Sequence, residues 1–337
     1  MFIPGIKKKV NKIRYENTFY VTDHKYIEFS AYQSYSLIRR ISSTMKHKLG
    51  ALLASLAIFG GMTLQAQTVL DTQFNTAMTG FVSSISGALP DNALVGTSWS
   101  DAYIGQLIGV PPHFGIGVSV GATRFSVVQL SDAMSLLGKS LPSEISGIPL
   151  PSYAVEARVG GFLLPFDVGV RFGALPTITM SGLSLNYLNF GFDVRYALME
   201  EGIVKPDIVV GAGFYYSKFG IGYTFNPASL AGLDGSYTSD QTLAISAESK
   251  VIELKAQVSK SFVIVTPYAG VGGSVAFNEG NYSLTKETTG STANTVYGVR
   301  VYGGTSLNLA VFKVDVSAMY NFISQNYGFN LGMRVQL

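Results

Sequence analysis

From about residue 99 to the carboxyl end, large apolar residues recur at every second position. Phe114, Ile116, Val118 and Val120 alternate with Gly115, Gly117, Ser119 and Gly121. Tyr153, Val155, Ala157 and Val159 alternate with Ala154, Glu156, Arg158 and Gly160, and 166–173 and 188–196 repeat the pattern. A period of two puts successive side chains on opposite faces, which predicts β-strands with one apolar face. Similar segments at 206–224, 242–259, 262–278, 294–306, 310–323 and 326–337, with an early one near 100–110, bring the count to eleven. Single-chain bacterial barrels carry even counts, so ten or twelve strands are expected, with twelve preferred.

Residues 68–89 break the rule. Leu70, Phe74, Met78, Phe81 and Ile85 fall at three- and four-residue spacing, the stripe of an amphipathic helix that Gly87 and Pro90 are expected to end. Ahead of a barrel, a helix within 67–97 either plugs the lumen from the periplasmic side or lies against the periplasmic rim. Short turns are expected at Val110–His113, Leu163–Pro165, Val258–Ser261 and Ser306–Leu309, and long polar loops at 225–241 and 279–293. That asymmetry places the short turns in the periplasm. In the outer loop 127–150, Leu130, Met134 and Leu137 form an apolar stripe that either receives a hydrophobic ligand or packs over the barrel mouth.

The final strand ends in Asn330, Gly332, Val335 and Leu337. This spacing is similar to the C-terminal signal of bacterial outer-membrane barrels, with Leu in place of the usual terminal Phe. It implies recognition by the barrel-assembly machinery.

The front of the chain changes the charge argument. Lys46 and Lys48, the apolar run Leu49–Phe59 and the sequence TLQAQ read as a signal peptide over 45–66, cut after Ala66. Met45 is then the natural start, and 1–44 an upstream extension. Residues 1–66 hold ten of the 24 Lys/Arg and three of the 21 Asp/Glu, leaving 14 basic against 18 acidic. The basic pI belongs to the leader, and nothing argues for nucleic acid. So few charges, with no run long enough for a transmembrane helix, leave the closed barrel over 98–337 as the membrane structure, in contact with outer-membrane lipids.

Charged residues within strands share the face opposite the large apolar ones. They form opposite-sign sets along single strands: Glu156 with Arg158, Asp167 with Arg171, Asp193 with Arg195, Glu253 with Lys255, and Lys313 with Asp315. Arg300 and Arg334 stand unpaired. Lipid would penalise these residues by a few kcal/mol each near the midplane, so they are expected to line the lumen. They either cross-pair in a filled interior or line a water-filled passage. The many strand tyrosines, among them Tyr187, Tyr215, Tyr268 and Tyr302, fit aromatic girdles at the bilayer interfaces.

Catalytic chemistry is thin. After residue 66 the one histidine is His113, in a proline turn, and there is no cysteine. No nucleophile–base pair, phosphate loop or metal spacing stands out. The expectation is a non-enzyme with no cofactor and no metal.

Segments 150–173, SLNYLNFGFDVRYAL and IVVGAGFYYSKFGI resemble an uncharacterised group of outer-membrane barrel proteins of spirochaetes and related bacteria. A more distant architectural similarity is to long-chain fatty-acid transporter barrels, which carry a helical hatch. The resemblance implies an all-β, antiparallel transmembrane barrel with an N-terminal helix, and transfers no catalytic residues. The expected function is passive transport, with a small hydrophobic ligand as one form, or a structural role. The alternative is an adhesin or host-interaction protein acting through its outer loops.

Overall fold

The computed structural model describes residues 67–107, 112–126, 147–180, 183–225, 240–284 and 288–337. Ten antiparallel strands close into one barrel, each hydrogen-bonded to its sequence neighbours. They are β1 (Phe114–Ser126), β2 (Gly147–Gly160), β3 (Phe166–Met180), β4 (Leu183–Met199) and β5 (Asp207–Phe225). β6 (Gln241–Ser259), β7 (Val265–Leu284), β8 (Thr288–Leu309), β9 (Phe312–Asn321) and β10 (Asn326–Gln336) complete the wall. β1 pairs with β10 from Gly115↔Gln336 to Thr123↔Gly328, so no edge is left. Gly332, Val335 and Asn330 of the C-terminal signal lie in this seam, and the Leu337 amide donates to the Phe114 carbonyl at 2.9 Å.

The alternation sorts cleanly between two environments. Outward residues such as Val120, Leu254 and Phe329 are 60, 65 and 60 % exposed, while their inward neighbours are buried. On β8 the outward apolar residues run from Tyr297 to Leu309, interrupted by Gly303 and Thr305. At ~3.3 Å per residue and a tilt of ~40° it spans roughly 30 Å, the thickness of a bilayer's hydrocarbon core. A closed ladder with an apolar outer band is the β form of a membrane span.

Several expectations need correction. The count is ten, not twelve, because residues near 100–110 form no strand: the described part, up to Leu107, runs inside the barrel. The first strand begins at Phe114, and His113 belongs to the linker entering it. The 279–293 loop is mostly wall, since β7 runs to Leu284 and β8 starts at Thr288. That hairpin rises beyond the apolar band, where outward residues no longer need to be apolar. The turn expected at Ser306–Leu309 falls at Ala310–Val311. Residues 1–66 and 127–146, with Leu130, Met134 and Leu137, lie outside the described residues, as do 226–239 of the long loop.

Candidate functional site: a lumen filled by its own chain

Helix α1 (Gln67–Leu94) lies within the barrel and packs against β1, β2, β5, β6, β7, β8 and β10. Met78, Phe81 and Ile85 of the expected stripe are buried, but so are Val82, Ser86, Leu89, Asp91 and Asn92. The lower part of the helix is therefore enclosed on all sides rather than on one stripe. The side chains of Leu70 and Phe74 lie outside the described set. Gly87 and Pro90 do not end the helix, which continues to Leu94. Pro90 only removes one amide, and the helix is held by the wall instead of by its own propensity.

The direction of the helix follows from its contacts with the wall. The Tyr282 hydroxyl, near the top of β7, donates to Asn75 Oδ1 at 2.9 Å. Lower down, Asn92 Nδ2 donates to the Leu150 carbonyl at 2.9 Å, and Asn321 Nδ2 donates to Asp91 Oδ1 at 2.7 Å. Gly96, with φ +75°, then turns the chain as only a residue without Cβ does readily. Trp99, Asp101 and Ile104 follow down the bore. Gly105, with φ +100°, precedes the exit, where the Leu107 amide donates to the Gly161 carbonyl at 2.9 Å. The segment therefore runs from the extended end to the short-turn end, where β1 begins.

Two arginines secure the foot of α1. The last carbonyls of a helix lack intrahelical partners and carry partial negative charge. Arg300 Nη1 donates to the Leu94 carbonyl at 3.0 Å, and Arg171 Nη1 donates to those of Val95 and Ala93 at 3.0 and 3.3 Å. Thr97 accepts from Arg300 Nη2 at 3.0 Å. Neither arginine could be assigned this role from its own strand, because the helix end that needs it lies about 80 to 200 positions away along the chain.

The twelve charges named from the sequence all project inward, and they pair across strands rather than along them. Arg158 reaches Asp167 at 2.5 Å and Asp193 at 2.7 Å, and Arg195 holds Asp167 through two bonds of 2.8 Å. Lys255 meets Asp193 at 3.2 Å, and Arg171 lies 3.8 Å from Glu156. Arg300 and Arg334 are not unpaired. Arg300 binds Glu253 at 2.6 Å, and Arg334 contacts both Asp315 and Asp101. Asp101 of the lumen segment also holds Lys313 at 2.5 Å. Arg195–Asp167 and Arg171–Glu156 are opposite on neighbouring strands, while Arg158–Asp193, Lys255–Asp193 and Arg300–Glu253 reach over an intervening strand, so the register decides the pairing. The spacing within a strand does not.

Trp99, the sole tryptophan, is the hub of the plug. Its indole N–H donates to Glu156 Oε2 at 2.8 Å. The guanidinium carbons of Arg334 and Arg158 lie 4.8 and 5.6 Å from its ring centre, within cation–π range. Tyr187, Tyr215, Tyr268 and Tyr302 are buried inside the barrel, so the girdle explanation fails for them. Tyr268 and Tyr302 instead pack with Val95. Two lumen cavities beside the segment hold about 10 Å³ each, room for a single water.

One inward row is different. Asn189, Ser217, Ser249 and Asn278 face one another across β4–β7 and are at most 1 % exposed. Their side-chain nitrogens and oxygens find no hydrogen-bond partner among the described residues. Among the described residues there is no cluster of His, Cys, Asp and Glu that fits a metal ion.

Comparison with solved structures finds low similarities. The outer membrane protease OmpT from Escherichia coli is 10 % identical, with 67 % of this chain and 97 % of that one aligned, at a TM-score of 0.40. The translocator domain of the autotransporter NalP from Neisseria meningitidis is 7 % identical, covering 81 % and 99 %, at 0.37. The attachment invasion locus protein Ail of Yersinia pestis, in complex with a heparin analogue, is 12 % identical, covering 67 % and 98 %, at 0.30. No curated protein matches the chain. The barrel assignment rests on the closed strand ladder itself. A family model does match, over residues 120–337, from within β1 to the last residue, and the chain thus belongs to the family of unknown function DUF6588.

Proposed function

We propose that the protein is an outer-membrane barrel, exported through a cleaved signal peptide, that forms a gated passage closed at rest by α1 and the segment below it. The short turns face the periplasm and the extended hairpins the cell exterior. The observation that carries this reading is the row Asn189, Ser217, Ser249 and Asn278. Polar groups buried without partners cost about 1–3 kcal/mol each, so a wall built only to pack against a helix has no use for them. A wall that faces water when the helix leaves does. The cross-paired charges support the same reading, because an ion-lined bore tolerates hydration where an apolar core would not. The passage carries no catalytic step.

The test is single-channel recording in planar bilayers, with residues 67–337 and with the same protein lacking 67–89. The intact protein is expected to be silent, and the shortened one to conduct. With Asp91, Asp101 and Asp207 counted beside the five strand acids, the shortened protein's bore holds seven bases against eight acids, so weak ion selectivity is expected. Steady conductance from the intact protein would remove the seal. Silence after helix removal, in a barrel still heat-modifiable on gels, would leave only a structural role.

A further inference from the structure

Above the apolar band, the outward face of β4–β8 changes character in ordered rows. The row Phe192, Phe214, Ile252, Val275 and Tyr297 is apolar or aromatic, and the next one up begins with Phe190 and Tyr216. Then comes a charged row in which Lys218 lies beside Glu248 at 3.6 Å, and Lys250, from the row of Phe190 and Tyr216, bridges Glu248 and Glu279 at 3.5 Å each. Above that the register aligns Asn186, Gly220, Ser246, Asn281 and Ser291, followed by Ser184, Gly222, Ala244, Ser283 and Thr289. These last two rows line a trough of about 610 Å³ on the barrel's outer wall, with Lys218 at its lower margin. Gly220 and Gly222 give it depth: a side chain at either would run into Asn186 or Ser184.

We propose that this trough binds the saccharide headgroup of a glycolipid in the adjoining leaflet, whose acyl chains lie along Phe190, Phe192 and Phe214. Amides and hydroxyls each donate and accept, which matches the hydroxyl-rich edge of a sugar. The trough presents them among apolar lining from Ile221, Ala244 and Ile245. The ammonium groups of Lys218 and Lys250 are already matched by Glu248 and Glu279, which disfavours a simple anionic phospholipid. Continuity with the lipid-facing rows selects a lipid-borne sugar over a free one, because an anchored headgroup is presented at high effective concentration. The inference goes beyond the gated passage. It relies only on the extended end facing the glycolipid leaflet, and it stands whether or not the lumen opens.

The full chain is refolded in nonionic detergent and titrated calorimetrically with purified lipopolysaccharide. In parallel arms it is titrated with the saccharide released from that glycolipid by mild acid and with phosphatidylglycerol. Saturable binding of the glycolipid is expected, with both parallel ligands at least about tenfold weaker. Ala244→Trp, which fills the trough, and Asn186→Ala/Asn281→Ala, which strips its amides, should each weaken binding about tenfold or more while the barrel stays heat-modifiable. Val316→Trp, on the opposite lipid-facing wall, should bind like the parent. No binding, or parent-like binding by both trough variants, overturns the site. Free saccharide binding as tightly as the whole glycolipid overturns the lipid-borne assignment, and equal binding of phosphatidylglycerol overturns the sugar.

Discussion

If the buried polar row is a cost borne by the closed state, removing it should make the protein more stable. Ser217 and Ser249 are opposite one another on β5 and β6, and both are fully buried with unpartnered hydroxyls. Ser217→Ala/Ser249→Ala deletes two oxygens and adds no volume, so no overpacking against α1 offsets the gain. Each unsatisfied hydroxyl costs about 1–3 kcal/mol. The pair are direct neighbours and need not add fully, so a gain of about 2 kcal/mol is the working figure. With a urea dependence near 2 kcal/mol per molar, the midpoint should rise by about 1 M. Trp99 is the only indole and sits in the middle of the plug, so its fluorescence follows loss of the plug, while gel mobility follows loss of the barrel. A plug transition that moves upward supports the reasoning. An unchanged or lower midpoint refutes it, since the hydroxyls would then be satisfied in the closed state and would say nothing about an open one.

Two further tests concern the wall itself. Asp167→Asn is isosteric but strips the buried charge that holds Arg158 and Arg195, and a loss of about 3–5 kcal/mol is expected in the same urea titration. Glu279→Gln, on the exposed charged row, should leave the midpoint unmoved, and equal losses from the two would discredit the burial argument. Val263 sits at φ 41° in the β6–β7 turn and is 97 % exposed, so Val263→Gly should relieve left-handed strain and stabilise by about 1 kcal/mol, whereas a lower midpoint would show that strain is not limiting there.

The strands were legible because lipid imposes one rule on every outward position, and the inward charges follow from the same rule. Where lipid ends, the rule lapses. At 279–293 both faces of the hairpin are polar, and the segment reads as a loop although it is β-ladder. Residues 95–107 are surrounded on all sides, so no period marks them, and Asp101 and Trp99 look like ordinary polar and aromatic positions before β1. The partners of Arg300 and Arg334 were hidden for a related reason. One is fixed by a helix end and the other by a lumen carboxylate, and neither lies near in sequence. The orientation of α1 has no local signature at all. It depends on which mouth the chain leaves to begin β1.

That path has a bearing on how the molecule is made. The segment leaves the bore at the mouth where β1 begins, so α1 is tethered beside the wall before the ring closes. That tether lets the wall be wrapped around α1 while it is still an open sheet. The last stitch is then the ladder from Gly115↔Gln336 to Thr123↔Gly328, where the first strand meets the last. Asp101 and Trp99 contact the inner side of that seam through Arg334 of β10. The filling therefore serves as a template for the closure, and a barrel sealed without it would leave the arginine at the joint with one carboxylate, Asp315, in place of two.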